Sequence, residues 1–281
     1  MMPASALTTL GPVLAGLLLL YLPVFRKLVY DWGHDDNYSH GFLIIPIALY
    51  LLWERRADLA AAKVSPSNLG LVLTLLSLVV LAAGTLGSEL FLTRVSLIGV
   101  LGGIVWFLYG MAYLRILIFP LAFLLLMIPI PSIIFNQIAF PLQLLASRFG
   151  EVVLQTLNIP VLREGNVITL ANTQLEVAEA CSGIRSLISL LTLGIVYGYF
   201  TDKRPLVRSA IALATIPVAI IANGLRVAGT GVAAHHYGPQ AAQGFFHEFS
   251  GWVVFVVSLV LLFLIQRAVL VIAPLPAAVQ R

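Results

Sequence analysis

Long runs of apolar residues with almost no charge dominate this chain. The stretches Leu69–Leu86 and Phe91–Tyr109 hold one charged residue, Arg94, between them. A helix of roughly 20 apolar residues spans a bilayer, whereas a soluble domain carries about 25% charged residues. Only 10% of this chain is charged and 60% is hydrophobic, so a membrane explains the composition better than a globular core does.

The apolar runs predict an all-α polytopic membrane protein with about eight transmembrane helices. We place the spans at Ala4–Val24, Gly41–Trp53, Leu69–Leu86, Phe91–Tyr109, Leu114–Ile130, Ala180–Phe200, Leu206–Ala234 and Phe246–Ile272. Pro120 is expected to break the fifth span. The first run lacks a basic segment before it, which favours a span over a cleaved signal peptide. Residues 1–281 are expected to form a single polytopic membrane domain.

A longer stretch, residues 132–179, is predicted to form an outer-side insertion before the sixth helix. Its first part, Phe135–Leu157, is amphipathic and favours an interfacial helix or a re-entrant element. Its second part, Val161–Val177, places Glu164-Gly165-Asn166 between β-favouring residues, which predicts a small hairpin. Because an isolated hairpin is marginal in water, we expect it to pack on the membrane domain.

Basic residues predict the orientation of the spans. Threading eight spans puts nine of them on one side, which the positive-inside rule makes cytoplasmic: Arg55, Arg56, Lys63, Arg115, Lys203, Arg204, Arg208, Arg267 and Arg281. Five fall on the opposite side: Arg26, Lys27, Arg94, Arg148 and Arg163. No basic stripe is interleaved with aromatic residues, so nothing indicates nucleic-acid binding.

The single cysteine, Cys181, precedes the sixth span and is a candidate nucleophile. In or next to the first turn of a helix, a thiol experiences the partial positive charge of the helix N-terminus, which favours the reactive thiolate. Arg185 lies four residues further on, on the same helical face if both residues are helical, and would add to this effect. The alternative is that Cys181 is a small buried residue of a packed helix.

Arg226 is predicted to lie within the seventh span, with Asn223 one helical turn away. An arginine inside a span costs several kcal/mol unless it is paired or reaches water, and such residues tend to be functional. The functional interpretation is an anchor for a carboxylate or an oxyanion. The alternative is a structural arginine paired with an intramembrane acid.

His247 opens the eighth span and can act as general base and acid near neutral pH, although an interfacial histidine in an aromatic belt is the alternative. All five histidines are predicted on the outer side: His34, His40, His235, His236 and His247. We expect His235 and His236 to lie in an exposed loop. The five lack ligand spacing on one face, so no metal site is predicted. Tyr38 and His40, before the second span, are candidates for lining a substrate cleft or for capping that helix.

At these positions the sequence resembles the exosortase/archaeosortase family, over nearly the whole chain. The resemblance rests on the motifs Ala180-Cys181-Ser182-Gly183-Ile184-Arg185-Ser186, Asn223-Gly224-Leu225-Arg226, His247 before Gly251-Trp252, Tyr38-Ser39-His40-Gly41, and Arg115…Phe119-Pro120…Met127-Ile128-Pro129-Ile130-Pro131.

The resemblance implies a membrane-embedded cysteine protease-transpeptidase without a cofactor. By the match, Cys181 is the nucleophile, Arg226 the family's arginine and His247 the third catalytic residue. Supporting roles are expected for Ser182, Arg185 and Asn223, and substrate-binding roles for Tyr38 and His40.

The resemblance also implies the partners. Substrates are exported proteins with a C-terminal sorting signal, namely a Pro-Glu-Pro-type motif, a hydrophobic helix and a basic tail. Family members often accompany exopolysaccharide and biofilm genes. Some carry a further domain after the last span, so a separate accessory protein of such a system is an expected partner here, as is membrane lipid. The expected location is the bacterial inner membrane, with the active site facing the periplasm.

Three rival functions remain open at this point. A non-enzymatic component of polysaccharide export or transport would use the buried arginine and the histidines to bind an anionic glycan or to couple to protons, and would tolerate serine at Cys181. A membrane acyltransferase would use a histidine on a lipid thioester and would not need Cys181 and Arg226 together. A structural subunit without a site would make the polar clustering coincidental.

Overall fold

The structure is a computed structural model. It describes residues 4–171, 173–177, 183–238, 240 and 245–272. The chain separates into two compact units, Met1–Pro131 and Ser132–Arg281. The division falls where the predicted insertion begins. The expectation of one polytopic domain with an inserted segment at 132–179 remains a prediction.

The first unit is helical throughout its regular elements. They are α1 (Ala4–His34), α2 (Gly41–Glu54), α3 (Arg56–Ala61), α4 (Asn68–Leu86), α5 (Leu90–Tyr109), α6 (Met111–Phe123) and a 3₁₀ turn, Leu124–Met127. The Ser67 side chain caps α4 by accepting a hydrogen bond from Leu69 N, and Glu89 caps α5 through Leu92 N at 2.9 Å. Both caps satisfy amides that a helix leaves unbonded at its start.

The second unit combines four helices with a small sheet. Its elements are α7 (Ser132–Thr156), β1 (Val161–Glu164), β2 (Val167–Leu170), β3 (Thr173–Glu176), α8 (Ile184–Thr201), α9 (Pro205–Tyr237) and α10 (Phe245–Ile272). The predicted hairpin is therefore present, and a third strand extends it. The strands form an antiparallel sheet in the order β1-β2-β3.

Within the described residues, five helices are long and apolar enough to cross a membrane. They are α1 from Gly11 onward, α4, α5, α8 and α9, and a sixth span results if Met111–Met127 and Ser132–Thr156 count together. The helix α2 has 14 residues, which gives about 21 Å at ~1.5 Å per residue, short of a ~30 Å hydrocarbon core. The chain is thus a multi-pass helical membrane protein, and the count of eight spans remains a prediction.

Pro120 does not break the fifth predicted span. It lies inside α6, which continues to Phe123 before the backbone tightens into the 3₁₀ turn. A proline removes one backbone N–H and crowds the preceding turn, and neighbouring helices in a membrane protein can compensate for this. The regular turns end at Met127, and Ile128 is extended, so the span ends earlier than Ile130.

Three of the five basic residues that depart from the positive-inside pattern form ion pairs. Arg94 of α5 has only 3% of its side chain exposed and pairs with Asp31 of α1, which also accepts from Lys27 Nζ at 2.7 Å. Arg163 Nε donates to Glu151 at 2.7 Å. Pairing offsets the cost of placing these charges near or within the membrane.

The core of the second unit joins α7, the sheet and α9. The amphipathic helix predicted at Phe135–Leu157 is α7, and its buried residues recur at helical spacing: Phe135, Ala139, Gln143, Ala146, Ser147, Gly150 and Leu154. Ala146 and Leu154 pack in one cluster with Ile168 of β2 and Val227 of α9. The Ser147 hydroxyl donates to Gly165 O at 3.0 Å. The sheet therefore packs on helices of the same unit, as expected for a sheet too small to be stable alone.

The helices α8, α9 and α10 form the second cluster of this unit. Leu190 of α8, Ile211 of α9 and Leu262 of α10 are each no more than 2% exposed and pack together. Tyr197 donates its hydroxyl hydrogen to Gln266 at 3.1 Å. A polar bond of this kind adds directionality to helix packing where lipid supplies no hydrophobic drive.

Candidate functional site

Cys181 and Ser182, at the centre of the most informative motif, lie outside the described residues. The chain resumes at Gly183, which precedes α8 with φ +76°, a left-handed conformation that favours glycine. The first hydrogen bond of α8 runs from Leu187 N to Gly183 O at 2.8 Å. The described part of the sixth predicted span therefore begins at Ile184, after Gly183. Because Cys181 lies outside the described residues, the expectation that it shares a helical face with Arg185 remains a prediction.

Gly183 packs directly on Asn223 of α9. A Cβ placed on Gly183 would come within 2.8 Å of Asn223 Cγ and 2.9 Å of its Nδ2, closer than real Cβ contacts. Asn223 itself is 2% exposed. The absence of a side chain at Gly183 is thus what allows the Cys-Ser-Gly-Ile-Arg and Asn-Gly-Leu-Arg motifs to meet, although 40 residues separate them.

The packing of α8 on α9 continues this contact in antiparallel register. Gly194 lies against Thr215, and Gly198 lies against the backbone of Arg208. Small residues at such positions let helix backbones approach closely. Arg226 lies nearly one helical turn after Asn223 on α9. It is therefore closer than Asn223 to the C-terminal end of that helix.

Arg226 and Arg185 are both partly buried, and the Arg226 carbonyl accepts from Thr230 Oγ1 at 2.9 Å. Arg185, Asn223 and Arg226 each take part in further polar or electrostatic contacts. The alternative of a structural, paired Arg226 therefore stays open.

Next to Asn223, Gly224 faces the Phe149 ring of α7. A small pocket at this place is lined by Gly183, Leu187, Ala219, Asn223 and Leu142.

His247 lies in the first turn of α10, and its side chain is outside the described residues. Tyr197 lies about 20 Å along α8 from Ile184, and its partner Gln266 lies about 28 Å along α10 from His247, at ~1.5 Å per residue. Residues of α8, α9 and α10 pack in one cluster. That His247 meets the other site residues remains a prediction.

Tyr38 and His40 lie in the first unit and contact backbone. The Tyr38 hydroxyl accepts from Ile130 N at 3.2 Å, and His40 Nε2 bonds to Leu126 O at 3.1 Å. Trp32 Nε1 donates to the neighbouring Met127 O at 2.8 Å, a contact that the sequence analysis missed. These three side chains anchor the 3₁₀ turn and the segment after it. His40 precedes α2 without making a side-chain cap, and its role in substrate binding remains a prediction.

Burial raises the pKa of the Tyr38 hydroxyl and lowers the pKa of His40 below its usual 6.5, with backbone hydrogen bonds opposing the shift at His40. A lowered histidine pKa means that the folded state binds the proton less readily than the unfolded state, so stability falls as the pH drops through about 6.5.

We expect the melting temperature of the protein in nanodiscs to fall more steeply between pH 7.5 and 5.5 for wild type than for His40→Gln. Parallel slopes for the two proteins would contradict this assignment.

His235 and His236 are not in a loop, because α9 ends at Tyr237 and Gly238 is its C-cap. Their rings contact each other edge to face with centroids 4.9 Å apart. Over the residues for which the structure gives positions, no group of three or more histidine, cysteine or acidic side chains is placed to hold a metal ion. The expectation that no metal is needed remains a prediction.

Comparison with known proteins gives one match. The family model of the transmembrane exosortases matches residues 32–264, which is most of the chain and includes every candidate site residue. No curated protein and no solved structure matches. The chain therefore belongs to the transmembrane exosortase family, whose members are membrane enzymes that sort proteins carrying sorting signals.

Proposed function

We propose that this protein is a membrane cysteine protease-transpeptidase that cleaves exported proteins at a C-terminal Pro-Glu-Pro-type signal and transfers them to an acceptor. The observation that carries the proposal is the contact of Gly183 with Asn223. Cys181 precedes Gly183 by two residues, and two residues reach at most about 7 Å. Chain connectivity thus limits how far Cys181 can lie from Gly183, which contacts the same helix, α9, that carries Arg226.

The proposed reaction has two steps. The Cys181 thiol gives its proton to His247, and the thiolate attacks the scissile carbonyl to form a tetrahedral oxyanion. Collapse of this intermediate breaks the peptide bond, His247 protonates the leaving amine, and a thioester on Cys181 remains. An acceptor amine then attacks the thioester, gives up a proton to His247 and releases the thiol; water in its place gives hydrolysis.

Charge stabilisation at the oxyanion is assigned to Arg226 and to backbone amides near the start of α8. The amides before Leu187 take no partner within the helix, because the first helical bond is Leu187 N to Gly183 O. A helix N-terminus carries partial positive charge that favours an anion there. Asn223 holds Gly183 in place, and Arg185, in the first turn, adds positive charge.

The proposed setting is the inner membrane, with the active site on the periplasmic side and the enzyme belonging to an exopolysaccharide system. Gly183 directly precedes α8, an 18-residue helix that is apolar enough to cross a membrane, which supports a site at a membrane surface rather than at mid-membrane. A substrate with its own spanning helix would diffuse in the plane of the membrane and approach that surface from the side.

The test is capture of the thioester. Membranes containing the protein and an exported reporter with a Pro-Glu-Pro-type signal are treated with hydroxylamine, a strong nucleophile toward thioesters. We expect a shortened reporter ending in a hydroxamate, identified by mass spectrometry. A reporter without the signal is the control and should stay intact. Shortening without any hydroxamate, over a range of hydroxylamine concentrations, would contradict a thioester intermediate.

A further inference from the structure

The sheet of the second unit has two unlike edges. At one edge, β1 begins directly after Pro160, and its Arg163 is tied to Glu151 of α7. At the other edge, within the part of the chain that the structure describes, β3 pairs with β2 alone, in regular register without a bulge. Proteins commonly protect an edge strand by keeping it short, or with charged side chains, proline or a bulge. The strand β3 is four residues long and carries Glu176, but it has no lysine, proline or bulge.

The hydrogen-bond pattern fixes which groups of β3 face outward. Val177 N donates to Asn166 O at 2.9 Å, so these two residues form a hydrogen-bonded pair. In an antiparallel ladder such pairs alternate with non-bonded ones. Thr173 and Leu175 therefore point their main-chain groups at β2, and Gln174 and Glu176 point theirs away. Among the described residues, no main-chain group bonds to those outward groups. The Gln174 carbonyl accepts a long hydrogen bond, 3.5 Å, from the Thr173 hydroxyl, which a bound strand would have to replace or share.

The strand β3 is close in sequence to the candidate nucleophile, Cys181. Glu176 ends β3 five residues before Cys181, and five residues span at most about 18 Å. A peptide that pairs with β3 would lie alongside the segment that carries the thiol. The side chains of Gln174 and Glu176 are exposed, whereas Leu175 packs toward the core, so the open face is available to the side chains of a bound strand.

We propose that β3 binds the substrate as an added strand, in which the glutamate of the Pro-Glu-Pro signal pairs with Gln174; this inference rests on the proposed function. Proline has no N–H and is tolerated in strands only where that group would face solvent. In a Pro-Glu-Pro strand the two prolines point away from the partner, and the N–H and C=O of the glutamate point toward it. Every second residue pairs, which matches the spacing of outward groups on β3.

Side-chain chemistry selects Gln174 over Glu176 as the partner. Residues directly opposite each other in a pair project to the same face. The Gln174 amide can donate to the carboxylate of the substrate glutamate, whereas the Glu176 carboxylate would repel it. The backbone pairing gives affinity, and the amide–carboxylate contact gives preference for glutamate between the prolines.

The first test removes the outward N–H of Gln174 without touching the internal ladder. Gln174→Pro is expected to raise KM for a Pro-Glu-Pro substrate at least tenfold with little change in kcat, because one backbone and one side-chain hydrogen bond are lost. Gln174→Ala keeps the N–H and is expected to raise KM about two- to threefold. Leu162→Ala, on the exposed face of β1, is the control for general disturbance of the sheet.

The second test uses wild-type protein, so misfolding of a variant cannot affect it. A synthetic substrate with N-methylglutamate in the signal lacks the only N–H of Pro-Glu-Pro and is expected to bind at least tenfold more weakly. N-methylation of a residue one position beyond either proline, which also faces the partner strand, should weaken binding as well. Equal KM values for methylated and unmodified substrates would overturn the proposal.

The outcomes separate this inference from the proposed function. If Gln174→Pro and N-methylation leave KM unchanged while Cys181→Ala is inactive, the strand pairing is wrong and the cysteine chemistry stands. If Gln174→Pro only converts a dimer to a monomer without changing KM, the edge pairs with a second copy and the substrate proposal is overturned. If Cys181→Ala retains activity, the proposed function itself fails.

Discussion

Replacing Cys181 by alanine is expected to abolish shortening of an exported reporter that carries a Pro-Glu-Pro-type signal. Alanine has no nucleophile, and removal of an enzyme nucleophile typically costs at least about 10⁴-fold in rate. Cys181→Ser is expected to be nearly as inactive, because a hydroxyl is far less ionised than a thiol near neutral pH and the site is assigned to a thiolate. The measurement is the size of the reporter in membranes with equal amounts of each variant.

The control is the variant His236→Ala. His236 is exposed in the last turn of α9, so this variant should shorten the reporter at the wild-type rate. A Cys181→Ser variant with wild-type activity would favour the transport or export alternative, in which the cysteine has only a packing role. Processing of the reporter at the wild-type rate by Cys181→Ala would contradict the assignment of Cys181 as nucleophile and with it the proposed function.

Replacing Gly183 by alanine is expected to have the second-largest effect. The left-handed conformation costs a non-glycine residue about 1–2 kcal/mol, and overpacking a buried contact costs about 1–3 kcal/mol more. The new methyl group would overlap Asn223, whose side chain is buried and has little room to move. We expect a loss of several kcal/mol in unfolding free energy and a drop in processing of at least tenfold, since α8 is displaced from α9.

Gly165 offers a matched control. It also has a positive φ, +66°, but nothing lies within 4 Å of an added Cβ. Gly165→Ala should therefore cost only the conformational part, about 1–2 kcal/mol, and should retain processing. Equal melting temperatures and equal activities for the two variants would show that the contact between Gly183 and Asn223 does not position the site.

Much of the fold could be predicted from sequence because hydropathy is a local property. The predicted spans at Leu69–Leu86 and Phe91–Tyr109 coincide with α4 and α5 almost to the residue. The amphipathic stretch became α7, and the Glu-Gly-Asn signal marked the turn between β1 and β2. Each of these predictions depends on residues within one or two turns of each other, so no knowledge of packing was needed.

The errors occurred where local pattern and tertiary packing disagree. Proline was expected to break the fifth span, yet α6 continues past Pro120. His235 and His236 looked like loop residues because Gly238 and Pro239 follow, and the helix ends only at Tyr237. Gly183 was expected inside the sixth span, but it has a left-handed conformation and packs on α9, so the described helix begins at Ile184.

The sequence by itself determined the membrane class of the protein, the approximate position of most helices and the match to the exosortase family over residues 32–264. These features follow from composition and from the spacing of residues that are near one another in the sequence. Only the tertiary structure decided that Gly183 packs on Asn223, and that Trp32, Tyr38 and His40 anchor the segment around Met127. Such contacts join residues 40 to nearly 100 positions apart, and their formation depends on which surfaces fit together when the helices pack.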